Sequence, residues 1–254
     1  MLWHKAWMDT RWRFLTGGLV LLLSAMGTVF SFQLVAGSAL SIGAVPQDGG
    51  LVSQAIREAV DLSRTFRGFV WLNAFSQNLT QLGVLFAVLL GSGGLRTEAA
   101  GTLYTLSLPF SRGALMSTRA ATGLLELVAL TMLPPLAIVA LAPAVGERYP
   151  VVEALVHGMC LFAGTAVFFS LTFWLSTLFS DPWRPGLIAF GVATVIGLCE
   201  SLLFRSVAWG LFHVTSAESY FRGAGVPWLG LLVAGAASAA LLQRAIAAVE
   251  RQDY

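Results

Sequence analysis

Gly18-Leu19-Val20-Leu21-Leu22-Leu23-Ser24-Ala25-Met26-Gly27-Thr28-Val29-Phe30-Ser31-Phe32-Gln33-Leu34-Val35 decides the fold class. It sits inside a run without charge from Phe14 to Gln47, longer than the ~20 apolar residues that cross a hydrocarbon core. Further uncharged runs cover Gly68–Leu95, Leu127–Gly146, Ala154–Ser180 and Gly223–Gln243. Over the 254 residues, 57% are hydrophobic and 11% charged. A soluble domain carries roughly 25% charged residues and has on the order of 11,000 Å² of surface to wet at this size. Fifteen Lys+Arg and thirteen Asp+Glu, clustered between the apolar runs, cannot do that. The composition specifies an all-α polytopic membrane protein, because only helices satisfy their own backbone in lipid without closing a barrel. The first run is far longer than a 7–15-residue signal core and no small-residue cleavage site follows it, so it is expected to stay as a membrane anchor.

The same residues exclude several chemistries. The only lysine is Lys5, so no phosphate loop of the G-x-x-x-x-G-K-[ST] type exists. His4, His157 and His213 are far apart in sequence, and Cys160 and Cys199 both lie in apolar runs. That pattern supports neither a metal site nor a disulfide framework. A net charge of +2 points away from nucleic acid.

Six transmembrane helices are predicted, at about 15–37, 69–92, 120–144, 152–179, 184–205 and 226–248. An even number returns both termini to one side. With the N-terminus inside, Lys5, Arg11, Arg13, Arg96, Arg112, Arg119, Arg184, Arg244 and Arg251 are cytoplasmic. Arg57, Arg64, Arg67, Arg148, Arg205 and Arg222 are then outside. The excess of inside cations, three of them before the first span, favours that orientation.

Four segments lie outside the spans. In residues 1–14, Trp3, Ala6, Trp7, Thr10 and Phe14 share a stripe opposite Lys5, Asp9 and Arg13. That is the pattern of an interfacial helix anchored in the headgroup plane by Trp3, Trp7 and Phe14. Residues 48–68 read as an outer amphipathic helix, with charge pairs among Arg57, Asp61 and Arg64. Residues 206–225 read as a re-entrant or interfacial segment whose His213, Glu218 and Tyr220 fit an aromatic belt.

The fourth segment is the cytoplasmic loop 93–119, with Thr97-Glu98-Ala99-Ala100-Gly101-Thr102-Leu103-Tyr104-Thr105-Leu106-Ser107-Leu108-Pro109-Phe110-Ser111-Arg112-Gly113-Ala114-Leu115 at its centre. Thr97 can cap a helix with Glu98 in its first turn. About 11 residues, roughly 16 Å, are too short to span. Pro109 ends the helix, and Ser111 can cap the next one. The loop is predicted to be a rigid knob between spans 2 and 3.

This loop resembles the ABC-2 type transporter permeases, including the branch with the nitrous-oxide-reductase maturation permease. Their pattern is E-x-x-x-G-T-L-x-x-L-x-S-x-P-x-S-R-x-x-L. Gly101, Thr102, Leu103 and Leu106 match its spacing; Ser107, Pro109, Ser111, Arg112 and Leu115 keep its second half one residue early, and Glu98 stands one residue nearer the glycine. Residues 1–14 are similar to that family's elbow helix, and residues 15–250 to its six-span domain. The resemblance implies a dimer of permease chains, identical or not, in a bacterial inner membrane. It also implies that Glu98, Gly101, Thr102, Leu103, Leu106, Pro109, Ser111 and Arg112 dock a separate ATP-binding cassette subunit. ATP and Mg would be bound by that partner; no catalysis and no cofactor are expected of this chain.

Within the spans, Asn73, Gln77, Asn78 and Gln81 crowd four amides into span 2. They serve either as a translocation path or as hydrogen bonds between helices. Glu126 and Glu200 are intramembrane acids and candidates for the same path; the alternatives are snorkelling beside Arg119 and pairing with Arg205. Pro134-Pro135 predicts a kink or break in span 3, and Ala234–Ala240 a close-packed face in span 6. Two other readings stay open: an intramembrane hydrolase or lipid-modifying enzyme built around His157, and a non-transporting scaffold for a cassette ATPase.

Overall fold

A computed structural model describes residues 2–39, 51–92, 112–179, 181, 183–202 and 210–250, with the backbone alone at 36–39, 51–55 and 112. Every regular element among them is helical. Six helices are long and apolar enough to cross a membrane: Leu2–Val35, Phe66–Gly91, Gly113–Val145, Val151–Leu178, Trp183–Leu202 and Trp228–Glu250. Five of them overlap the uncharged runs; Trp183–Leu202, which carries Arg184 and Glu200, overlaps none. The docking loop with Glu98, Gly101, Thr102, Leu103, Leu106, Pro109 and Ser111 lies outside the described residues, as do Arg205 and the side chain of Arg112.

The first helix, α1, is Leu2–Ala39. The described residues 2–14 and the first span belong to this one continuous helix. Nothing in the sequence forces a break there, since Gly17 and Gly18 come late and no proline is present. At 1.5 Å per residue α1 is about 57 Å long, well beyond a ~30 Å hydrocarbon core. Helix α2, Leu51–Ser63, lies outside the spans. Thr65 then caps span 2, its hydroxyl accepting from the Gly68 N–H at 3.2 Å.

Span 2 is helix α3, Phe66–Gly91, whose middle stretch Trp71–Asn78 is a π-helix. Span 3 is α4, Arg112–Leu141, which continues through Pro134 and Pro135 rather than breaking. Its neighbours α1 and the next helix pack along its length and hold it. Span 4 is α5, Val151–Leu178; span 5 is α6, Trp183–Leu202. Two short helices, α7 (Leu211–Thr215) and α8 (Glu218–Phe221), form a hairpin before span 6, α9 (Trp228–Glu250).

The core sits where α5 meets α3, α4 and α9. Phe75, Leu79, Leu127, Leu130, Leu161, Phe169 and Phe173 are fully buried there. Small residues set the spacing. A Cβ on Gly83 would lie 3.1 Å from Thr165, and one on Gly91 2.6 Å from the Phe169 carbonyl, so α3 and α5 touch almost backbone to backbone. Ser170 and Ser238 hydroxyls join α5 to α9 at 2.6 Å, inside the small-residue stretch of span 6.

The bundle has two distinct ends. At one, the termini end, Arg13 of α1 reaches the final turn of α3, and a Cβ on Gly113 would lie 2.5 Å from Glu250 Oε1. At the other, the hairpin end, Phe32 of α1 meets Phe66 and Phe69 of α3.

Candidate functional site

The amides of span 2 do not behave alike. Asn73 is half-buried and turns its Nδ2 onto the Phe69 carbonyl of its own helix at 3.1 Å. Gln77, Asn78 and Gln81 are exposed and have no hydrogen-bond partner among the described residues. Asn73, Gln77 and Asn78 fall within the π-helical stretch Trp71–Asn78, and Gln81 lies just beyond it. Thr80 fills the widened turn, its hydroxyl donating to the Phe75 carbonyl at 2.6 Å. π-turns of this kind cost regular hydrogen bonding and concentrate at functional sites.

The two acids sit elsewhere, each with a fixed local partner. Glu126 is buried between α1 and α4, with Oε1 2.5 Å from the Thr10 hydroxyl and Oε2 unpartnered. Glu200 lies at the hairpin end. Its oxygens accept the backbone N–H groups of Leu211 (2.6 Å) and Phe212 (2.8 Å), the first turn of α7. A Cβ on Gly210 would stand 2.8 Å from Glu200 Oε2, so the glycine is what lets the carboxylate in. Asn73, Glu126 and Glu200 are therefore not gathered with Gln77, Asn78 and Gln81 into one line within a single copy. A cavity of about 400 Å³ against Trp174, Arg244, Ala247 and Ala248 is lined by none of the six.

Residues of the N-terminal stripe divide as well. Ala6 and Thr10 are buried on the protein, while Trp3 is 53% exposed and Trp7 37%. Trp7 packs edge-on against Phe14 at 5.3 Å. Arg13 Nη1 donates to the Leu89 carbonyl at 2.9 Å and also to that of Ser92. Those are open carbonyls at the C-terminus of α3, where a cation is favoured.

A polar cluster at the hairpin end was not legible as a site. Arg67 of α3 donates from Nε to Glu153 Oε1 of α5 at 2.7 Å. One turn along α5, His157 is fully buried, with Nδ1 2.8 Å from the Glu153 carbonyl and Nε2 unpartnered. Phe75 lies 4.2 Å from its ring and Tyr220 of α8 packs edge-on at 6.2 Å. The Tyr149 hydroxyl is buried nearby, and desolvation beside Glu153 holds its pKa well above the usual phenol range. The i, i+4 spacing of Glu153 and His157 was the available signal, but Arg67 comes from 86 residues away.

The hairpin is seated by close contacts. Val214, Thr215 and Ala217 are at most 1% exposed. Thr215 presses on Gly164 of α5 and Val214 on Gly230 of α9, where no Cβ would fit. Trp71 stacks on Phe221 at 4.4 Å and donates its indole N–H to the Ser216 carbonyl at 3.1 Å. Ala217 makes the turn in the left-handed region, φ 53°. Among the described residues no group of three or more His, Cys, Asp and Glu is placed to hold a metal ion. Compared with known proteins, the chain matches no family model, no curated protein and no solved structure.

Proposed function

We propose that the chain is the membrane-spanning permease subunit of an ATP-driven ABC transporter of the ABC-2 type, working as an exporter. A separate cassette ATPase binds the loop 93–119 and drives the spans; a second permease chain completes the path. The observation that carries the reading is the exposed, unpartnered trio Gln77, Asn78 and Gln81 in the middle of span 2. Gln77 lies roughly 17 Å from the start of α3 and 21 Å from its end. A side-chain amide facing lipid at that depth without a partner costs several kcal/mol. A second chain bringing its own polar face, with an aqueous path between the two, removes that cost. The matching loop motif supplies the identity of the motor.

The hydrolase reading lacks support from the surroundings of His157. Its described neighbours are aromatic rings, the Arg67–Glu153 pair and a backbone carbonyl, with no nucleophilic side chain hydrogen-bonded to the imidazole.

The test is solvent access along span 2 in a background free of Cys160 and Cys199. Gln77→Cys and Gln81→Cys are expected to react with a membrane-impermeant thiol reagent and to cross-link between chains. Leu85→Cys, exposed but apolar in surroundings, is expected to react at least tenfold more slowly. Equal protection at all three positions contradicts a path on this face.

A further inference from the structure

A string of alternating charge ties the hairpin to the outer helix. It starts at Glu58 of α2, whose Oε1 accepts from Arg222 Nη2 at 2.9 Å. Arg222 Nε donates to Glu218 Oε1 at 2.7 Å. The other oxygen of Glu218 meets His213 Nδ1 at 2.5 Å. Three helices, α2, α8 and α7, are thus linked through four side chains.

The imidazole also faces a second acid. Glu200 and His213 flank Gly210: a Cβ there would lie 2.8 Å from Glu200 Oε2 and 3.0 Å from His213 Cδ2. The charged groups acting on His213 are Glu218 on α8, Glu200 on α6 and Arg222 just beyond α8; α5 and α9, which also pack on α7, add none among the described residues. With His213 protonated, the string alternates in sign from α2 to α7. Without that proton two carboxylates face a neutral ring.

We infer that this string is a proton-operated latch, in which protonation of His213 tightens the α7–α8 hairpin against α2 and α6 and loss of the proton loosens it. The Trp71–Phe221 stack and the Thr215–Gly164 contact do not titrate. They keep the hairpin seated, so the proton sets how often it opens rather than whether it folds.

The electrostatics give the direction. The hydrogen bond to Glu218 raises the pKa of His213 above its ordinary 6.5. The hydrogen bond to His213, with that of Arg222, pulls Glu218 down to about 2. The histidine's contribution is complete below about 6.5, its unfolded value, and fades as pH rises through the raised folded value. The glutamate's contribution is complete above about 4.5 and fades as pH falls toward 2. Hold is therefore greatest between about pH 4.5 and 6.5, and alkalinisation of the hairpin side loosens it. Opening would draw Tyr220 away from the His157 ring, which it now meets edge-on.

The test is hydrogen–deuterium exchange of residues 210–222 in the full chain in nanodiscs, corrected for intrinsic exchange. From pH 5.5 to 8.5 the protection of this segment is expected to fall roughly fivefold, the equilibrium equivalent of a partly exposed ion pair. His213→Gln is expected to show the looser level at every pH. Glu58→Gln, which cuts the string away from the imidazole, is expected to loosen the hairpin while keeping the slope. If His213→Gln does not fold, Glu218→Gln, which leaves only Glu200 facing the imidazole, is expected to shrink the slope. Constant protection in the native chain, an unchanged slope without the His213–Glu218 pair, or no effect of Glu58→Gln each overturns the latch.

Discussion

Glu200 has both carboxylate oxygens on backbone N–H groups at the start of α7, which makes it a cap for the hairpin rather than a loose charge in the membrane. Glu200→Ala orphans two donors at a half-buried site, a loss of about 1–2 kcal/mol. Thermal unfolding of the solubilised protein should show it as a lower Tm, and Glu200→Gln, which can still accept one bond, should lose less. Arg13→Ala should cost about 1 kcal/mol by uncapping the last turn of α3. Sequence made Glu200 and Glu126 visible as acids in apolar runs, but not their roles. Each role depends on a partner distant along the chain: Leu211 for Glu200, Thr10 for Glu126. Local spacing cannot announce such pairs. Arg13 was readable as an inside cation, and its function as a cap appears only once α1 and α3 lie side by side.

At the scale of elements, the six spans were legible because membrane crossing is a length and polarity condition that each segment meets by itself. The hairpin was half legible. Its aromatics marked an interface, yet its depth of seating rests on glycines in other helices. Gly164→Ala puts a methyl into Thr215, and Gly230→Ala one into Val214. Either should raise deuterium uptake in 211–217 by about fivefold or more, as overpacking of about 1–3 kcal/mol implies. Gly235→Ala and Gly191→Ala meet open space and should leave uptake unchanged. The π-helix in α3 carried no sequence signal, since a period of four in Asn73, Gln77 and Gln81 reads as an ordinary α-helical face. Two of those three amides, together with Asn78, are exposed, while Asn73 is half-buried and bonded to its own helix.

At the scale of the whole molecule, the proposed function asks for a second chain. Gln77, Asn78 and Gln81 of span 2 are exposed on the single chain, and α6 presents Leu187, Val195, Leu198 and Leu202 to its surroundings, each more than half exposed. Under the proposed function these surfaces meet lipid and a second chain. The central claim is that a cassette ATPase drives it through the loop 93–119, and co-purification of the full-length chain from its native membrane measures that most directly. A soluble ATP-binding cassette protein should come with it. Leu103→Asp should weaken the association roughly thirtyfold, as loss of about 2 kcal/mol at an interface hot spot implies, with the Tm of this chain unchanged. No cassette protein in the purified complex, or robust ATP hydrolysis by this chain alone, would contradict the account.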